Sequence, residues 1–545
     1  MIDVKLKPEY DAIIIGAGIT GIYQTYLLQK AGMNVIGIDG AKDVGGTWYW
    51  NRYPGCRLDT ESYAYGYFAL NGIIPEWEWS ENFAGQPEML RYINYAADKM
   101  DVRKHYKFET LVTAAHYDND SRLWVLTLNN GQNLTCRFLI SATGPLSASR
   151  MPDIKGIESF EGESFHSSDW PTKADGSPAG TDFTGKRVGV IGTGATGVQI
   201  IPIAAQTADE LFVFQRSPNW CTPLGVQPIS KAEMNHIRNR HPTILEYVKA
   251  TPTSFPYHRD PRKGTEVSKE ERDAFFENLY DAPGYGIWLS GFRDLLVSKE
   301  SNKFLADFVA DKIRKRVNDP KIAEKLIPKD HPFGGKRVPM ETNYYETYNK
   351  DNVHLVDIQE TPIHEVTADG IQTAKDFYGL DVIIYATGFD AVTGSLDRID
   401  LRGKNGIRLK DAWADGPSTY LGLQAKGFPN FFTLVGPHNG STFCNVGVCG
   451  GLQAEWVTRM LSYMENNEFT YCEPTQPAED KWTEEVYADF ARTLLAEANA
   501  WWVKVTHKPD GTIVRRTLVH VGGGPEYRRR CEEVAYCNYE GFELA

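Results

Sequence analysis

Three glycines near the start of the chain have the spacing of a loop that binds a dinucleotide. Gly16, Gly18 and Gly21 directly follow a short apolar strand pattern and open a helical one. In such a loop the first glycine makes a tight turn, the second lets the backbone approach a pyrophosphate, and the third allows close packing of helix on strand. The next strand pattern ends at Asp39, where a carboxylate accepts hydrogen bonds from a ribose diol. We therefore predict a first nucleotide site at Gly16, Gly18, Thr20, Gly21 and Asp39.

A second loop of the same kind, at Gly192, Gly194 and Gly197, is followed by a different strand end. That strand closes in Gln215-Arg216-Ser217 and has no acid at the ribose position. A guanidinium can hold a 2′-phosphate through two hydrogen bonds, whereas a carboxylate there repels it. The pattern favours NADPH over NADH at the second site, unless Arg216 is only a solvated arginine at a strand end.

The two loops indicate an α/β protein with two Rossmann-like dinucleotide-binding domains. Short apolar runs before each loop are typical of parallel strands buried on both faces. An Ala-Thr-Gly turn at 142–144 recurs at 386–388, which indicates that the chain leaves the first domain and later returns to it. We predict a split first domain at 8–145 and 386–545, a second domain at 146–223 and 331–385, and a helical insertion at 224–330.

The insertion carries a clear helical pattern of apolar residues. Their spacing of three to four places them on one face of an amphipathic helix. The residues are Phe304, Leu305, Phe308, Val309, Ile313 and Val317.

Composition limits the partners and the location of the chain. A net charge of -13 and a pI near 5.5 disfavour nucleic acid, because binding a phosphate backbone needs a basic field. Eight cysteines without CxxC or zinc-type spacing predict free thiols, and no metal-binding cluster stands out. There is no apolar run long enough to cross a membrane and no secretion signal, so we expect a cytoplasmic protein.

Two further patterns lie around the loops and narrow the class of enzyme. The first runs from Gly45-Gly46-Thr47-Trp48 to Asp59, and the second runs from Phe160 through Gly162 and His166 to Trp170-Pro171. Both resemble, position for position, the two fingerprints of the Baeyer-Villiger monooxygenases. The segment 332–339 also resembles the part of that family that carries its catalytic arginine. The resemblance extends over essentially the whole chain.

The resemblance implies an oxygenase that uses FAD in the first domain and NADPH in the second. NADPH reduces the flavin, O₂ adds to form a C4a-peroxyflavin, and this attacks a ketone to give an ester or lactone. Arginine suits a site that must hold a peroxide anion, because it stays charged at working pH. Arg337 is the expected catalytic cation and Asp59 its orienting partner, unless the two form an ordinary ion pair at the surface.

Further site residues follow from the resemblance alone. Trp48 either lines the cofactor or packs in the core, and Val112 is expected to contact the flavin through its backbone. His166 is expected to serve a structural role rather than a chemical one. The FAD residues are Gly46, Thr47, Trp48, Asp59, Tyr65 and Val112, in addition to the first loop. The NADP residues are Arg57, Gly192, Thr193, Gly194, Ala195, Thr196, Gly197, Gln199, Arg216, Ser217, Lys336, Arg337 and Trp501.

Two other functions stay open at this level. A flavoprotein that oxygenates nitrogen or sulfur shares the glycine loops, and a flavoprotein that only senses redox state needs no cation beside the flavin. The expected substrate is a bulky cyclic ketone, and the sequence leaves open whether it is a coenzyme A ester. It also leaves open whether the chain forms a homodimer. The basic stretch 258–263 either meets phosphates or is a solvated turn.

Overall fold

The computed structural model describes residues 7–66, 76–174, 176–439 and 444–545. We number its strands β1 to β22 in chain order. They are Tyr10–Ile15, Val35–Ile38, Tyr106–Lys107, Val112–Asp118, Leu123–Leu128, Asn133–Ser141, Glu163–His166, Arg187–Ile191, Glu210–Gln215, Thr222–Pro223, Met340–Glu341, Val353–Asp357, Ile363–Thr367, Gly370–Thr373, Phe377–Gly379, Val382–Tyr385, Asp400–Arg402, Phe431–Thr433, Cys472–Pro474, Val503–His507, Ile513–Thr517 and Phe542–Leu544.

The helices are numbered α1 to α15 in the same way. They are Ile19–Lys30, Thr47–Trp50, Gln86–Met100, Ala195–Ala204, Lys231–Ala250, Lys269–Asp281, Gly286–Leu289, Lys299–Arg316, Pro320–Leu326, Tyr344–Thr347, Gly394–Asp397, Leu409–Ala412, Val446–Asn466, Gln476–Ala491 and Gly524–Tyr536. Within the described residues, none of these helices combines the length and the apolar character that a membrane crossing requires.

The larger sheet holds the first glycine loop at the carboxyl end of its central strand. Its order is β17-β4-β5-β6-β1-β2-β3, and β18 also pairs with β6. Strand β1 is parallel to both β2 and β6, and its last four residues are buried because apolar clusters cover both faces. Strands β17 and β18 come from far later in the chain than β1 to β6, so two separate stretches build this sheet.

A second, fully parallel sheet holds the second glycine loop. Its order is β12-β9-β8-β16-β7. Strand β8 leads directly into the glycines, and β9 ends at Gln215, beside the residues expected to meet a 2′-phosphate. Ligands of open α/β sheets lie outside the carboxyl ends of the strands, which is where both loops stand. The exact domain boundaries stay a prediction.

Helices α5 to α9 fill the stretch for which the sequence predicted a helical insertion. Helix α5 begins with a capping box between Ser230 and Glu233, which satisfies free backbone N–H groups at its start. Helix α8 buries Leu305, Val309 and Ile313 on one face, as their spacing predicted. Gln215 at the end of β9 donates to the carbonyl oxygen of Lys325 in α9 at 2.8 Å, which joins this helical layer to the second sheet.

The prediction of eight free thiols is wrong at one place. Cys444 and Cys449 form a disulfide at the start of α13, whereas Cys56, Cys136, Cys221, Cys472, Cys531 and Cys537 are free. The chain enters α13 between the two cysteines, and this turn brings their Cα atoms to 6.3 Å, within the range that a disulfide spans. Their spacing matches no common motif, so the pair could not be predicted from the sequence.

Candidate functional site

The first glycine loop forms a surface that fits a pyrophosphate. Gly16 has a φ of +115°, and a Cβ there would overlap the carbonyl oxygen of Ala142. The nearest atom to a Cβ on Gly18 is Cα of Gly46, at 3.6 Å, so two glycine backbones lie face to face. No side chain caps the N-terminus of α1, which leaves its N–H groups directed at this surface.

Asp39 ties this loop to the end of β2. Its two carboxylate oxygens accept hydrogen bonds from the backbone N–H groups of Ala17 at 2.6 Å and Ala41 at 2.7 Å. Burial raises the pKa of the Asp39 carboxyl, and the two N–H donors oppose that change. The carboxylate therefore stands at the predicted ribose position while also fixing the loop.

The second glycine loop also fits a pyrophosphate. Gly192 has a φ of +110° and a Cβ on it would overlap the carbonyl oxygen of Ala386, so only glycine suits the turn. A Cβ on Gly194 would have no atom within 4 Å, which leaves open space at the uncapped N-terminus of α4. Ala195 and Thr196 form the first residues of that helix.

Beyond this loop lies a cluster that is suited to a 2′-phosphate. Thr193 Oγ1 donates to the carbonyl oxygen of Ser217 at 3.1 Å, which joins the loop to the end of β9. Lys336 Nζ donates to Ser217 Oγ at 2.9 Å. Arg216 is exposed, and within the described residues its guanidinium has no ion-pair partner. Lys336 and Ser217, which the resemblance assigns to the NADP site, thus meet directly after Arg216, the residue expected to hold the 2′-phosphate.

Arg337 forms an ion pair with the buried carboxylate of Asp59, as the resemblance implied. Arg337 Nη2 lies 2.6 Å from Asp59 Oδ2, and the side chains keep 39% and 5% of their surface accessible. The hydroxyl of Tyr285 donates to Asp59 Oδ2 at 2.9 Å and accepts from Arg337 Nη2 at 3.2 Å. Tyr285 belongs to the helical insertion, so a third side chain completes the pair.

The protonation states of this triad follow from burial and from the contacts. Burial raises the pKa of the Asp59 carboxyl, while Arg337 and the Tyr285 hydroxyl lower it. Burial also raises the pKa of Tyr285, which keeps its phenol neutral and able to donate. Tyr285 and Asp59 raise the pKa of Arg337 above its ordinary value, so it is a permanent cation.

Gln199 on α4 connects the nucleotide loop to this triad. Its Nε2 donates to the carbonyl oxygen of Arg57 at 3.3 Å and to Asp59 Oδ1 at 3.4 Å, and its Oε1 accepts from Tyr53 at 2.9 Å. A cavity of about 410 Å³ lies between Gly55 and α4 on the outer side of this contact. The guanidinium of Arg57 itself pairs with Glu81 at 3.3 Å.

The predicted flavin residues near Gly46 pack together. Gly46 begins helix α2, whose Thr47 and Trp48 follow directly. Trp48 is 7% exposed and its indole N–H donates to the Tyr65 hydroxyl at 3.4 Å. The charge of Arg337 lowers the pKa of Tyr65 against the effect of burial, which places this aromatic pair close to the triad.

Two predicted residues lie apart from these clusters. Val112 starts strand β4, and its neighbour Leu111 covers Gly40 just after Asp39, near the ribose end of the first site. Trp501 packs edge-on against Trp502 and is 36% exposed. Within the described residues, no hydrogen bond or ring contact joins Trp501 to the other predicted site residues.

The sequence missed the tyrosines of the insertion. Besides Tyr285, Tyr257 donates to the buried carboxylate of Glu61 and accepts from the Tyr285 N–H at 3.0 Å. Neither tyrosine belongs to a fingerprint. The only signal in the sequence is that Glu61, the partner of Tyr257, stands two residues after Asp59. His166 acts structurally as expected: its Nε2 lies 3.0 Å from the carbonyl oxygen of Gly388.

Comparisons with known proteins agree with this geometry. A family model described as flavin-binding monooxygenase-like matches residues 10–227. The chain is 79% identical over 539 residues to 2-oxo-Δ³-4,5,5-trimethylcyclopentenylacetyl-CoA monooxygenase of Pseudomonas putida, with 99% of each chain covered. It is 40% identical over 496 residues to a Baeyer-Villiger monooxygenase of Pseudooceanicola batsensis, with 90% of this chain and 89% of the relative covered. The chain belongs to the Baeyer-Villiger monooxygenases.

Other comparisons define the range of this family. Phenazine N-monooxygenase of Lysobacter antibioticus is 37% identical over 541 residues, with 99% of this chain and 97% of the relative covered. One solved structure is that of the trimethylcyclopentenylacetyl-CoA monooxygenase, abbreviated OTEMO, in complex with FAD and NADP. It superposes on this chain with a TM-score of 0.97 at 79% identity, and the match covers 99% of this chain and 100% of that one. The predicted α/β class, the Baeyer-Villiger monooxygenase function and the cofactors FAD and NADP are therefore confirmed.

Proposed function

We propose that this Baeyer-Villiger monooxygenase converts bulky cyclic ketones into lactones. Ketone, NADPH, a proton and O₂ give lactone, NADP⁺ and water, so one oxygen atom enters the ring and the other leaves as water. The observation that carries the proposal is the buried contact of Arg337 with Asp59 and Tyr285. A redox sensor has no need for a permanent cation held in this way.

In this proposal the triad serves the oxygen-transfer step. Bound FAD supplies the activation of O₂ after its reduction by NADPH. Arg337 stabilises negative charge at the reacting oxygen atoms, and removal of one such donor typically costs about a hundred- to a thousandfold in rate. Asp59 and Tyr285 fix the plane of the guanidinium, and the buried surroundings strengthen its field by excluding water.

We assign the remaining predicted residues to the two cofactors. Arg216, Ser217 and Lys336 hold the 2′-phosphate of NADPH, because they converge where β9 ends beside the second loop. Gln199 couples the helix at that nucleotide to Asp59 and Arg57, because its side-chain amide donates hydrogen bonds to both residues. Trp501 stays a prediction as a cap on the nucleotide, and Val112 stays one as a backbone contact to FAD.

The proposed substrate form is a coenzyme A ester of a substituted cyclopentenone. This rests on the name of the relative that is 79% identical and on the basic stretch 258–263. Arg262 pairs with Asp260 at 2.8 Å and Lys263 with Glu266 at 3.6 Å, whereas exposed Arg259 has no ion-pair partner within the described residues. Arg259 therefore has a guanidinium that is available to a phosphate of the ester.

The reaction itself is tested with labelled oxygen. Purified protein with NADPH, ¹⁸O₂ and a substituted cyclopentanone should give lactone that carries one labelled atom, in a ratio near one lactone per NADPH. The Arg337→Lys variant should still oxidise NADPH but release hydrogen peroxide in place of lactone. Unlabelled lactone, or peroxide alone from the unchanged protein, would contradict the proposed function.

The coenzyme A ester is tested through Arg259. We expect kcat/KM for the ester to fall about tenfold in Arg259→Met, since a charged hydrogen bond contributes about 1.5–3 kcal/mol. The free acid should be unaffected. Arg262→Met is the matched control, because Arg262 already has carboxylate partners. Equal losses for both substrates would remove Arg259 from the ester site.

A second candidate activity is oxygenation of nitrogen or sulfur by the same site. The 37% identity to a phenazine N-monooxygenase supports it. Competition between a sulfide and the ketone for one pool of oxidising equivalents would distinguish a side activity from a separate function.

We further propose the split domains 8–145 with 386–545 and 146–223 with 331–385, the insertion 224–330, a homodimer and a cytoplasmic location. Limited proteolysis and sedimentation test the first three.

A further inference from the structure

A carboxylate stands among the groups assigned to the 2′-phosphate. Asp330 Oδ2 accepts a hydrogen bond from Ser217 Oγ at 2.8 Å and lies 3.3 Å from Lys336 Nζ. Lys336 also donates to Ser217 at 2.9 Å, so the three side chains form a closed cluster. The acid thus occupies two of the three donors that the sequence pattern directs at a phosphate.

The carboxylate is held in place from its other side. Asp330 Oδ1 lies 2.7 Å from Nδ1 of His331, whose side chain is 1% exposed. The indole N–H of Trp220 donates to the carbonyl oxygen of His331 at 3.3 Å, which fixes this turn against the second sheet. Burial raises the pKa of Asp330, but hydrogen bonds from His331 and Ser217 bring it to about 2, so the group is an anion at working pH.

We propose that Asp330 sets the balance between the two nicotinamide nucleotides by competing with the 2′-phosphate for Ser217 and Lys336. A bound NADPH must take the single hydrogen of the Ser217 hydroxyl from Asp330, and the Asp330 carboxylate also repels a phosphate that approaches Lys336. A nucleotide with a free 2′-hydroxyl can instead donate to Asp330 as it stands. This inference rests on the proposed placement of the phosphate at Arg216, Ser217 and Lys336.

Removal of Asp330 distinguishes two roles for this carboxylate, competition with the phosphate and orientation of Lys336. If Asp330 only oriented Lys336, its removal would weaken the binding of a 2′-phosphate. If it competes, its removal frees the lysine ammonium and the serine hydroxyl, and the phosphate binds more tightly. Arg216 stays available in both cases, since its guanidinium has no ion-pair partner within the part of the chain that the structure describes.

The test compares nucleotide binding to the FAD-loaded protein and to its Asp330→Asn variant. Calorimetry with 2′,5′-ADP, 5′-AMP, NADP⁺ and NAD⁺ separates the phosphate from the rest of the nucleotide. We expect the variant to bind 2′,5′-ADP and NADP⁺ about three- to tenfold more tightly, which corresponds to a gain of about 1 kcal/mol in binding free energy. It should bind NAD⁺ no more tightly than the unchanged protein does. Unchanged or weaker binding of 2′,5′-ADP would overturn the proposal.

Two further variants keep the outcome clear. Asp330→Ser retains an acceptor for His331 and should show the same gain if Asp330→Asn is poorly folded. Glu324→Gln removes a nearby negative charge that pairs with Arg314 at 2.7 Å, and should leave 2′,5′-ADP binding unchanged. Lys336→Met tests the proposed phosphate site itself: if it does not weaken 2′,5′-ADP binding, the placement of the phosphate fails together with this inference. If it does weaken binding while Asp330→Asn gives no gain, only this inference fails.

Discussion

The hydroxyl of Tyr285 donates to Oδ2 of Asp59 over 2.9 Å, although 226 residues separate the two in sequence. The same oxygen of Asp59 accepts from Arg337, so both donors meet at one atom. Tyr285 comes from the helical insertion and Asp59 from the loop beside the first sheet. The cation that we propose for the reaction centre is therefore oriented by an element that no fingerprint includes.

We predict that Tyr285→Phe slows lactone formation about tenfold and increases the release of hydrogen peroxide. The variant keeps the cation and the carboxylate but loses one hydrogen bond to Asp59 and two from Arg337. A hydrogen bond to a charged group contributes about 1.5–3 kcal/mol. Reduction of the flavin by NADPH should be unchanged. Stopped-flow absorbance gives the reduction rate, and lactone per NADPH gives the coupling.

Tyr280→Phe is the matched control for this variant. Its hydroxyl accepts from Arg316 at 3.0 Å in a buried ionic cluster away from the triad. It removes the same atom from a comparable setting, so any loss from general destabilisation appears in both. Equal coupling in the two variants would show that Tyr285 does not position Arg337.

A second prediction concerns the pH dependence of turnover. Burial raises the pKa of Asp59, so kcat/KM should fall on the acid side at a pH above the ordinary range of an aspartate. Below that pKa the carboxyl is protonated and no longer pairs with Arg337. The Tyr285 hydroxyl lowers this pKa, so Tyr285→Phe should move the acid limb to higher pH. The Asp59→Asn variant should lose this acid limb. If the limb stays at the same pH in both variants, it belongs to the titration of another group.

The two nucleotide loops were predicted from the sequence because local spacing encodes them, whereas the meeting of Arg337 with Asp59 was implied by the family resemblance alone. Each loop needs glycines at fixed offsets from a strand, and that requirement is visible in one dimension. Tyr285, Tyr257 and Asp330 were not predicted. Their roles depend on how the helical insertion folds back on both sheets, and such long-range packing has no period that a single sequence displays. The disulfide of Cys444 and Cys449 was missed for a different reason, because the spacing of the two cysteines matches no common motif.

A third prediction separates structural from ligand-binding glycines in the second loop. Gly194→Ala places a methyl group in open space where the backbone faces the pyrophosphate, so NADP⁺ affinity should fall at least about tenfold at nearly unchanged stability. Gly192→Ala forces a non-glycine residue into a φ of +110° against the Ala386 carbonyl, so the thermal midpoint should drop by several degrees. Calorimetry and thermal unfolding measure the two effects. If Gly194→Ala destabilises as much as Gly192→Ala, the open space is not a ligand surface.

A fourth prediction concerns stability in acid. Burial lowers the pKa of His438 to about 3, far below the value of about 6.5 in an unfolded chain. Above about pH 6.5 both states are neutral there. Below it, only the unfolded state takes up the proton, so the free energy of unfolding should fall by about 1.4 kcal/mol per pH unit toward lower pH.

Urea unfolding between about pH 6.5 and pH 5 measures this slope against pH. His438→Gln should make the slope shallower by about one proton. His364→Gln, at a side chain that is 67% exposed, should leave it unchanged. A slope that does not change in His438→Gln would mean that this histidine takes up a proton in the folded state as well.

Lys336 and Arg337 are neighbours in the chain, yet the roles we propose for them lie at opposite ends of the nucleotide. Lys336 reaches Ser217 and Arg337 reaches Asp59. Consecutive Cα atoms lie only about 3.8 Å apart, so the backbone cannot shift at one residue and stay still at the other. In the proposed roles, the peptide that carries the contact to the 2′-phosphate of NADPH also carries the guanidinium that stabilises the reacting oxygen atoms. We therefore expect that loss of the 2′-phosphate from Lys336 also releases a restraint on the Arg337 guanidinium.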